Sequence, residues 1–229
     1  MSLSLISGAG TLLGAVMVFC LPLEKVMPYL VGFAAGVMSA VSFLEIIPAS
    51  LQLGGAGALF LGGSAGILLL FLADIFLGHP AVNLRASYKR LGWLLFIGIA
   101  LHDFPEGMAI GAGGSVAAEL GIFLALAVGI HNVPEGLINA APLRLGGLSP
   151  ATILRLNALL SLVTPAGTFF GLFLAHRFHL LIPPLLALAA GAMLYLVAKE
   201  LTPRMMRKKG AAGFVIGFLT LTALLLHIH

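Results

Sequence analysis

The sequence predicts an all-α integral membrane protein, and three observations carry that expectation. Of 229 residues, 60% are hydrophobic and only 9% charged, with a mean hydropathy of +1.13. Soluble domains carry about 25% charged residues, so twelve basic and eight acidic side chains cannot coat a globule of this size in water. The apolar residues also fall in windows of about 20, the number needed to cross a hydrocarbon core about 30 Å thick. Finally, proline, glycine or charge bounds each window.

Eight windows fit: Leu3 to Leu21, Pro28 to Leu51, Ala56 to Leu77, Leu91 to Ala112, Ala118 to Ala140, Thr152 to Ala175, Leu181 to Leu201 and Ala211 to His227. Residues 1–229 then form a single transmembrane domain with short connections and no soluble module. The first window has no positive flank before it and no small-residue cleavage site after it, so it is expected to remain as a helix.

Orientation follows from the basic residues, which mark cytoplasmic connections. Lys25, then Arg85, Lys89 and Arg90, then Arg144 and Arg155, then Arg204, Arg207, Lys208 and Lys209 fall on alternate connections, against Arg177 alone on the other side. Both termini are therefore expected outside the cytoplasm. Spread this thinly, and without interleaved aromatics, these charges exclude a nucleic-acid surface. The lack of a Gly-x-x-x-x-Gly-Lys-Ser/Thr loop excludes a nucleotide. Cys20, the one cysteine, makes neither an internal disulfide nor a thiolate metal site and is expected to pack.

Charge inside a span costs several kcal/mol, on the order of 3, unless it is paired, solvated or bound to an ion. Six of the eight acidic residues lie in or at the edge of spans: Glu45, Asp74, Asp103, Glu106, Glu135 and Glu200. Two matching segments stand out, His102-Asp103-Phe104-Pro105-Glu106-Gly107 and His131-Asn132-Val133-Pro134-Glu135-Gly136. Within each, His and Glu are four apart and share a helix face, with the middle residue close by. The two spans run antiparallel, so His102 comes level with Glu135 and Glu106 with His131. A mixed imidazole–carboxylate cage suits Zn²⁺ and neighbouring first-row divalent ions, whereas Ca²⁺ and Mg²⁺ favour all-oxygen shells.

Pro105 and Pro134 cannot donate to the carbonyls of Leu101 and Ile130, so a kink and a free carbonyl are expected beside the ligands. Gly107 and Gly136 allow close helix approach. Three readings are open for these residues: a site for a divalent ion crossing the membrane, a structural polar core without an ion, and a membrane-embedded metalloenzyme or metal sensor using the same site. Enzyme chemistry is not expected, since there is no His-Glu-x-x-His helix and no activated Ser or Cys nucleophile. No organic cofactor is implied.

Glu45-Ile46-Ile47-Pro48 and Glu200-Leu201-Thr202-Pro203 share an acid-x-x-Pro pattern on helices of opposite direction, the signature of an inverted repeat. Glu45 then lies toward the outer mouth and Glu200 toward the cytoplasm, as entrance and exit groups. Glu200 has Lys199 beside it as an ion-pair partner. Asp74 and His79, near the inner end of the third span, receive an outgoing ion or form an interfacial pair. His176, His179, His227 and His229 are solvated interface histidines or weak capture sites. Thr164 and Ser161 bond back to helix carbonyls, and Asn157 joins a polar seam.

At these residues the chain resembles the ZIP (Zrt-, Irt-like protein) family of divalent metal transporters, in its prokaryotic branch. The two His-x-x-Pro-Glu-Gly segments resemble the family's signature. Gly32-Phe33-Ala34-Ala35-Gly36-Val37-Met38 through Pro48, and Ala190-Gly191-Ala192-Met193 through Pro203, support the match. The resemblance implies eight helices in a three-two-three arrangement and two mid-membrane metal positions. The first is lined by His102, Glu106, His131 and Glu135, with Met38 as a soft ligand. The second uses Asp103, Asn132 and the same two glutamates. Many relatives place a further Glu before a proline in span six, where this chain has Thr164 ahead of Pro165, so the second position is poorer by one carboxylate.

The cargo so implied is Zn²⁺, with Cd²⁺, Fe²⁺, Mn²⁺ and Co²⁺ acceptable to the same ligands, carried into the cytoplasm across a bacterial plasma membrane. A dication moving inward gains about 4.6 kcal/mol per 100 mV of inside-negative potential, so ATP is not required. Beyond the ion and the lipid bilayer, the partner left open is a second copy of the chain. Gly54, Gly55, Gly57, Gly62, Gly63 and Gly66 permit close helix contact within one bundle or across a homodimer.

Overall fold

The computed structural model describes residues 2–78, 83–116, 118–174, 179–205 and 208–228, and all the regular structure among them is helical. Helix α1 spans Ser2–Met17 and ends in a 3₁₀ turn, Val18–Cys20; α2 is Leu23–Val41, and α3 is Ile47–Phe76. Then come α4, Leu84–Val116, and α5, Ala118–Leu145. The short α6, Pro150–Ser161, and α7, Val163–Leu174, follow; α8 is Ile182–Leu196, α9 Thr202–Met205 and α10 Lys208–Ile228. Six stretches have the length and apolarity to cross a membrane: Ser2–Cys20, Leu23–Phe76, Leu84–Ser115, Pro150–Phe173, Ile182–Met205 and Lys208–Leu226.

One of these stretches is too long for a single crossing. Leu23–Phe76 has 54 residues, about 80 Å of straight helix against a core of about 30 Å. It is broken at Gly55, whose φ of 69° and ψ of −176° lie in a region open essentially to glycine alone. The break falls between the windows predicted to end at Leu51 and begin at Ala56. α5, with 28 residues, is also long enough to cross.

Helix–helix contacts sort the elements into two sets. α1, α4, α5, α6 and α7 pack on one another, and α2 lies along α10 while α3 lies along α8. The seam between the sets is made chiefly by α4 against α8, with α2 and α10 touching α5. Small residues fix the spacing within each set. A Cβ on Gly14 would fall on the Val133 carbonyl, one on Gly136 on that of Thr11, and one on Gly107 on that of Thr164. Successive contacts show that α1 runs parallel to α5, with Ser7 at Gly129 and Gly14 at Leu137, and α4 parallel to α7, with Phe104 at Gly167 and Met108 at Gly171, as Gly32 against Gly210 and Gly36 against Phe214 do for α2 and α10.

The predicted boundary at the start of the fourth span is corrected. Arg85, Lys89 and Arg90 were placed in a connection, but helix begins at Leu84 and all three lie within it. Hydropathy windows stop at charge, whereas a helix continues as long as its backbone bonds close and its charges find partners. α4 and α5 also continue as helix through Pro105 and Pro134.

The two acid-x-x-Pro segments each form a π turn, Ser42–Ile46 and Val197–Leu201. Glu45 and Glu200 are the fourth residue of their turns, and Pro48 and Pro203 follow at the same offset. Single π turns inside helices commonly accompany function, because the extra residue re-aims side chains.

Candidate metal centre

The middle of α4 and the middle of α5 bring five ionisable side chains together. His102 and Asp103 are fully buried, and Glu106, His131 and Glu135 are at most 6% exposed. Glu106 bridges the two imidazoles: its Oε1 lies 3.1 Å from His102 Nε2, and its Oε2 lies 2.9 Å from His131 Nε2. His102 Nε2 is also 3.3 Å from Glu135 Oε1, and the two rings are tilted with centroids 5.9 Å apart. Ligand atoms of His102, His131 and Glu135 lie within 4.8 Å of one another, as do those of His102, Asp103 and Glu106. The two triads share His102.

Hydrogen bonding leaves this cluster incomplete. Of the contacts above, only His131 to Glu106 has hydrogen-bond geometry. Among the described residues, both nitrogens of His102 and both carboxylate oxygens of Asp103 and of Glu135 have no hydrogen-bond partner. Buried polar atoms are normally paired, and no Lys or Arg among the described residues forms an ion pair with these three carboxylates. Three buried acids facing two imidazoles, with several lone pairs converging, form a donor set that a divalent cation would satisfy.

The other predicted residues divide. Asn132 is fully buried and donates to the Ser7 carbonyl on α1 at 3.2 Å, leaving its own oxygen unbonded. Thr164 is fully buried and its hydroxyl has no hydrogen-bond partner among the described residues, so it does not bond back to a helix carbonyl there, whereas Ser161 does so to Ala158 at 2.8 Å. Met38 is buried in the apolar core on α2. Glu45 is half-buried and within electrostatic reach of His131. Asn157 meets Asn139 at 3.1 Å between α6 and α5. His79, His176 and His229, and the side chains of His179 and His227, lie outside the described residues.

Glu200 and Asp74 belong to a different cluster. Glu200 is not paired with Lys199, which is exposed. Its Oε1 lies 3.0 Å from Arg90 Nη1 and its Oε2 2.6 Å from Arg204 Nη1. Asp74 forms an ion pair with the second Nη of Arg90 and accepts from the Tyr195 hydroxyl at 2.8 Å. Neighbours i and i+1 diverge on a helix while i and i+4 meet, which is why Arg204 and not Lys199 reaches Glu200. Charge alone marks Arg90 as a loop residue, so its buried pairing is not legible in the sequence.

A model of the family described as ZIP Zinc transporter matches residues 79–226, well over half of the chain and both site helices. The chain belongs to the ZIP zinc transporter family. Its matches to three individual ZIP proteins each cover about half its length. It is 36% identical over 132 residues to a protein named zinc transporter ZupT from Enterobacter sp. (strain 638), covering 52% of this chain and 51% of that one. The namesake from Escherichia fergusonii is 35% identical over 133 residues, 52% of each chain. That from Salmonella newport is 36% identical over 132 residues, 52% of this chain and 51% of the other. The chain thus matches about half the length of these curated relatives.

Proposed function

We propose that this ZIP chain is a permease that carries divalent metal, chiefly Zn²⁺, into the cytoplasm through the α4–α5 cage. The observation that carries the reading is the group of three buried carboxylates around two imidazoles with no Lys or Arg partner among the described residues. An uncompensated charge of that size in hydrocarbon is costly, and a transported dication offsets it. The relatives' name favours zinc. Fe²⁺, Mn²⁺, Co²⁺ and Cd²⁺ remain chemically acceptable to the same donors.

His102, Glu106, His131 and Glu135 are the primary ligands in this proposal, with Met38 as a soft accessory. Asp103 and Asn132 serve a second position that Thr164 supplies with a hydroxyl where a carboxylate would bind more strongly. Eight crossings follow from dividing Leu23–Phe76 at Gly55 and counting α5, and the paired π turns support the inverted three-two-three order. Arg85 reaches the Gly147 carbonyl, Arg90 that of Gly78 and Arg144 that of Val18, so basic side chains from separate segments gather at one end of the bundle. Positive charge gathered at one end supports a cytoplasmic assignment of that end, and both termini outside. Transport then proceeds as the two helix sets shift against each other and expose the cage to either side in turn.

Flux into proteoliposomes holding an internal zinc indicator tests the reading. Inward flux abolished in both His102→Ala and Glu135→Ala supports it. Intact zinc binding with no flux in the unaltered chain overturns it.

A further inference from the structure

The acidic residues of this chain are neutralised in two ways. In the cage, carboxylates face imidazoles, whereas Asp74 and Glu200 are held by guanidinium groups. The second arrangement crosses the seam between the helix sets. Asp74 ends α3, and Glu200 and Arg204 follow α8, all in one set, while Arg90 projects from α4 in the other. All three donor positions of the Arg90 fork are engaged, Nη1 by Glu200, Nη2 by Asp74 and Nε by the Gly78 carbonyl at 2.7 Å. A return contact runs from Arg204 Nη2 to Ser87 Oγ on α4 at 3.3 Å.

We propose that Arg90 is an inter-bundle tether, which holds the two helix sets in register at the basic end and must be released when they shift. Four features support it. Arg90, Asp74 and Glu200 are each at most 8% exposed, so the pairs escape the screening that makes surface pairs weak. The two negative and two positive charges cancel, so the cluster needs no imported ion, unlike the cage. Arg90 lies twelve residues before His102 on one helix, about 18 Å away, which puts it near the membrane boundary when the cage is at mid-depth. Finally, Glu200, which pairs with Arg90, sits at the fourth position of a π turn, as Glu45 does in the matching turn of the other segment. Of these two matching acids, Glu200 is locked to a fixed cation.

This inference rests on movement between the helix sets but not on metal flux, and its test reads position alone. In a Cys20→Ala background, spin labels at Ala86→Cys on α4 and Lys208→Cys on α10, both exposed, report the distance across the seam by double electron–electron resonance in lipid nanodiscs. The unaltered network should yield one narrow distance. Arg90→Gln with Asp74→Asn and Glu200→Gln removes every charge of the Arg90 fork and leaves only Arg204, whose side chain is 25% exposed and open to water, and should lose that single peak to a broadened or second distribution. Arg90→Lys keeps the charge but not the fork, and should give a smaller change in the same sense even where the triple variant fails to fold. A distribution unchanged in the variants that fold overturns the tether, whatever zinc flux they support.

Discussion

Glu106→Gln is the sharpest perturbation of the cage, because it keeps the side chain's shape and removes only its charge. Among the described residues, Glu106 is the one that pairs with both imidazoles, at 3.1 and 2.9 Å. At an effective dielectric near 20, two unit charges about 4 Å apart interact by about 4 kcal/mol, and a dication doubles that. The amide carbonyl and a recruited water recover part of the loss, so a hundredfold weakening of zinc binding, about 2.8 kcal/mol, is the expected scale. At a zinc concentration 100 times the original Kd, ligand stabilisation is about 2.7 kcal/mol; after a hundredfold loss it is about 0.4 kcal/mol. For a chain of this size these correspond to rises in Tm of about 5–11 °C and about 1–2 °C. The assay is thermal unfolding of purified protein in detergent across a zinc series. Without zinc the variant should be no less stable than the parent, since it has lost one of three mutually repelling buried acids. A zinc-dependent rise in Tm as large in Glu106→Gln as in the parent would refute the cage as the binding site.

Three further outcomes follow from the same geometry. Ligation requires neutral imidazole and ionised carboxylate, so zinc affinity should fall steadily from about pH 8 to about pH 5, checked by calorimetric titration; a rise in affinity toward acid contradicts the ligand assignment. Gly55→Ala should destabilise by about 1–3 kcal/mol, because alanine resists that backbone conformation. Gly57→Ala, where an added Cβ also meets nothing within 4 Å but the backbone is helical, should stabilise by up to about 1 kcal/mol; equal unfolding midpoints for the two would remove Gly55 as a required break. Gly14→Val drives a side chain onto the Val133 carbonyl beside Pro134. It should cost about 1–3 kcal/mol and weaken zinc binding in the same preparation; a change in neither would mean α1 does not position α5.

How far the sequence disclosed this arrangement depended on whether the signal was periodic. His102 with Glu106 and His131 with Glu135 are i and i+4 pairs within a duplicated segment, so a shared face could be inferred from spacing alone. The division at Gly55 showed as a gap between two apolar windows, although the sequence did not reveal that helix would run up to the break from both sides. What hydropathy could not disclose was a charge working inside the helical frame. Arg90 belongs to α4, yet any window tolerating few charges ends before it. Its partners Asp74 and Glu200 are 16 and 110 residues away, and no local pattern signals such distant pairings. Thr164 departs from its expected back-bond for a similarly non-local reason. A hydroxyl in a span usually bonds to its own helix, but here the turn at Leu162 separates α6 from α7 and leaves Thr164 in the first turn, with no bond back to a helix carbonyl.

The contrast between the two acidic clusters bears on how the proposed permease would hold and yet release a metal ion. Arginine is charged at every working pH and is covalently fixed in place, so the carboxylates at the seam cannot lose their partner unless the helices part. Histidine can be neutral, so in the proposed cage an arriving cation would supply charge that the imidazoles need not carry. Exchanging the two solutions would defeat both ends. An arginine at His102 would fill the cage permanently, and histidine at Arg90 would leave Asp74 and Glu200 short of charge near the boundary, where a passing metal ion could be retained. Arg90→His should therefore gain zinc sites beyond those of the parent, countable by equilibrium dialysis, with the added binding lost in Arg90→His combined with Glu200→Gln. An unaltered zinc count in Arg90→His would show that a fixed guanidinium is not what keeps those carboxylates from acting as ligands.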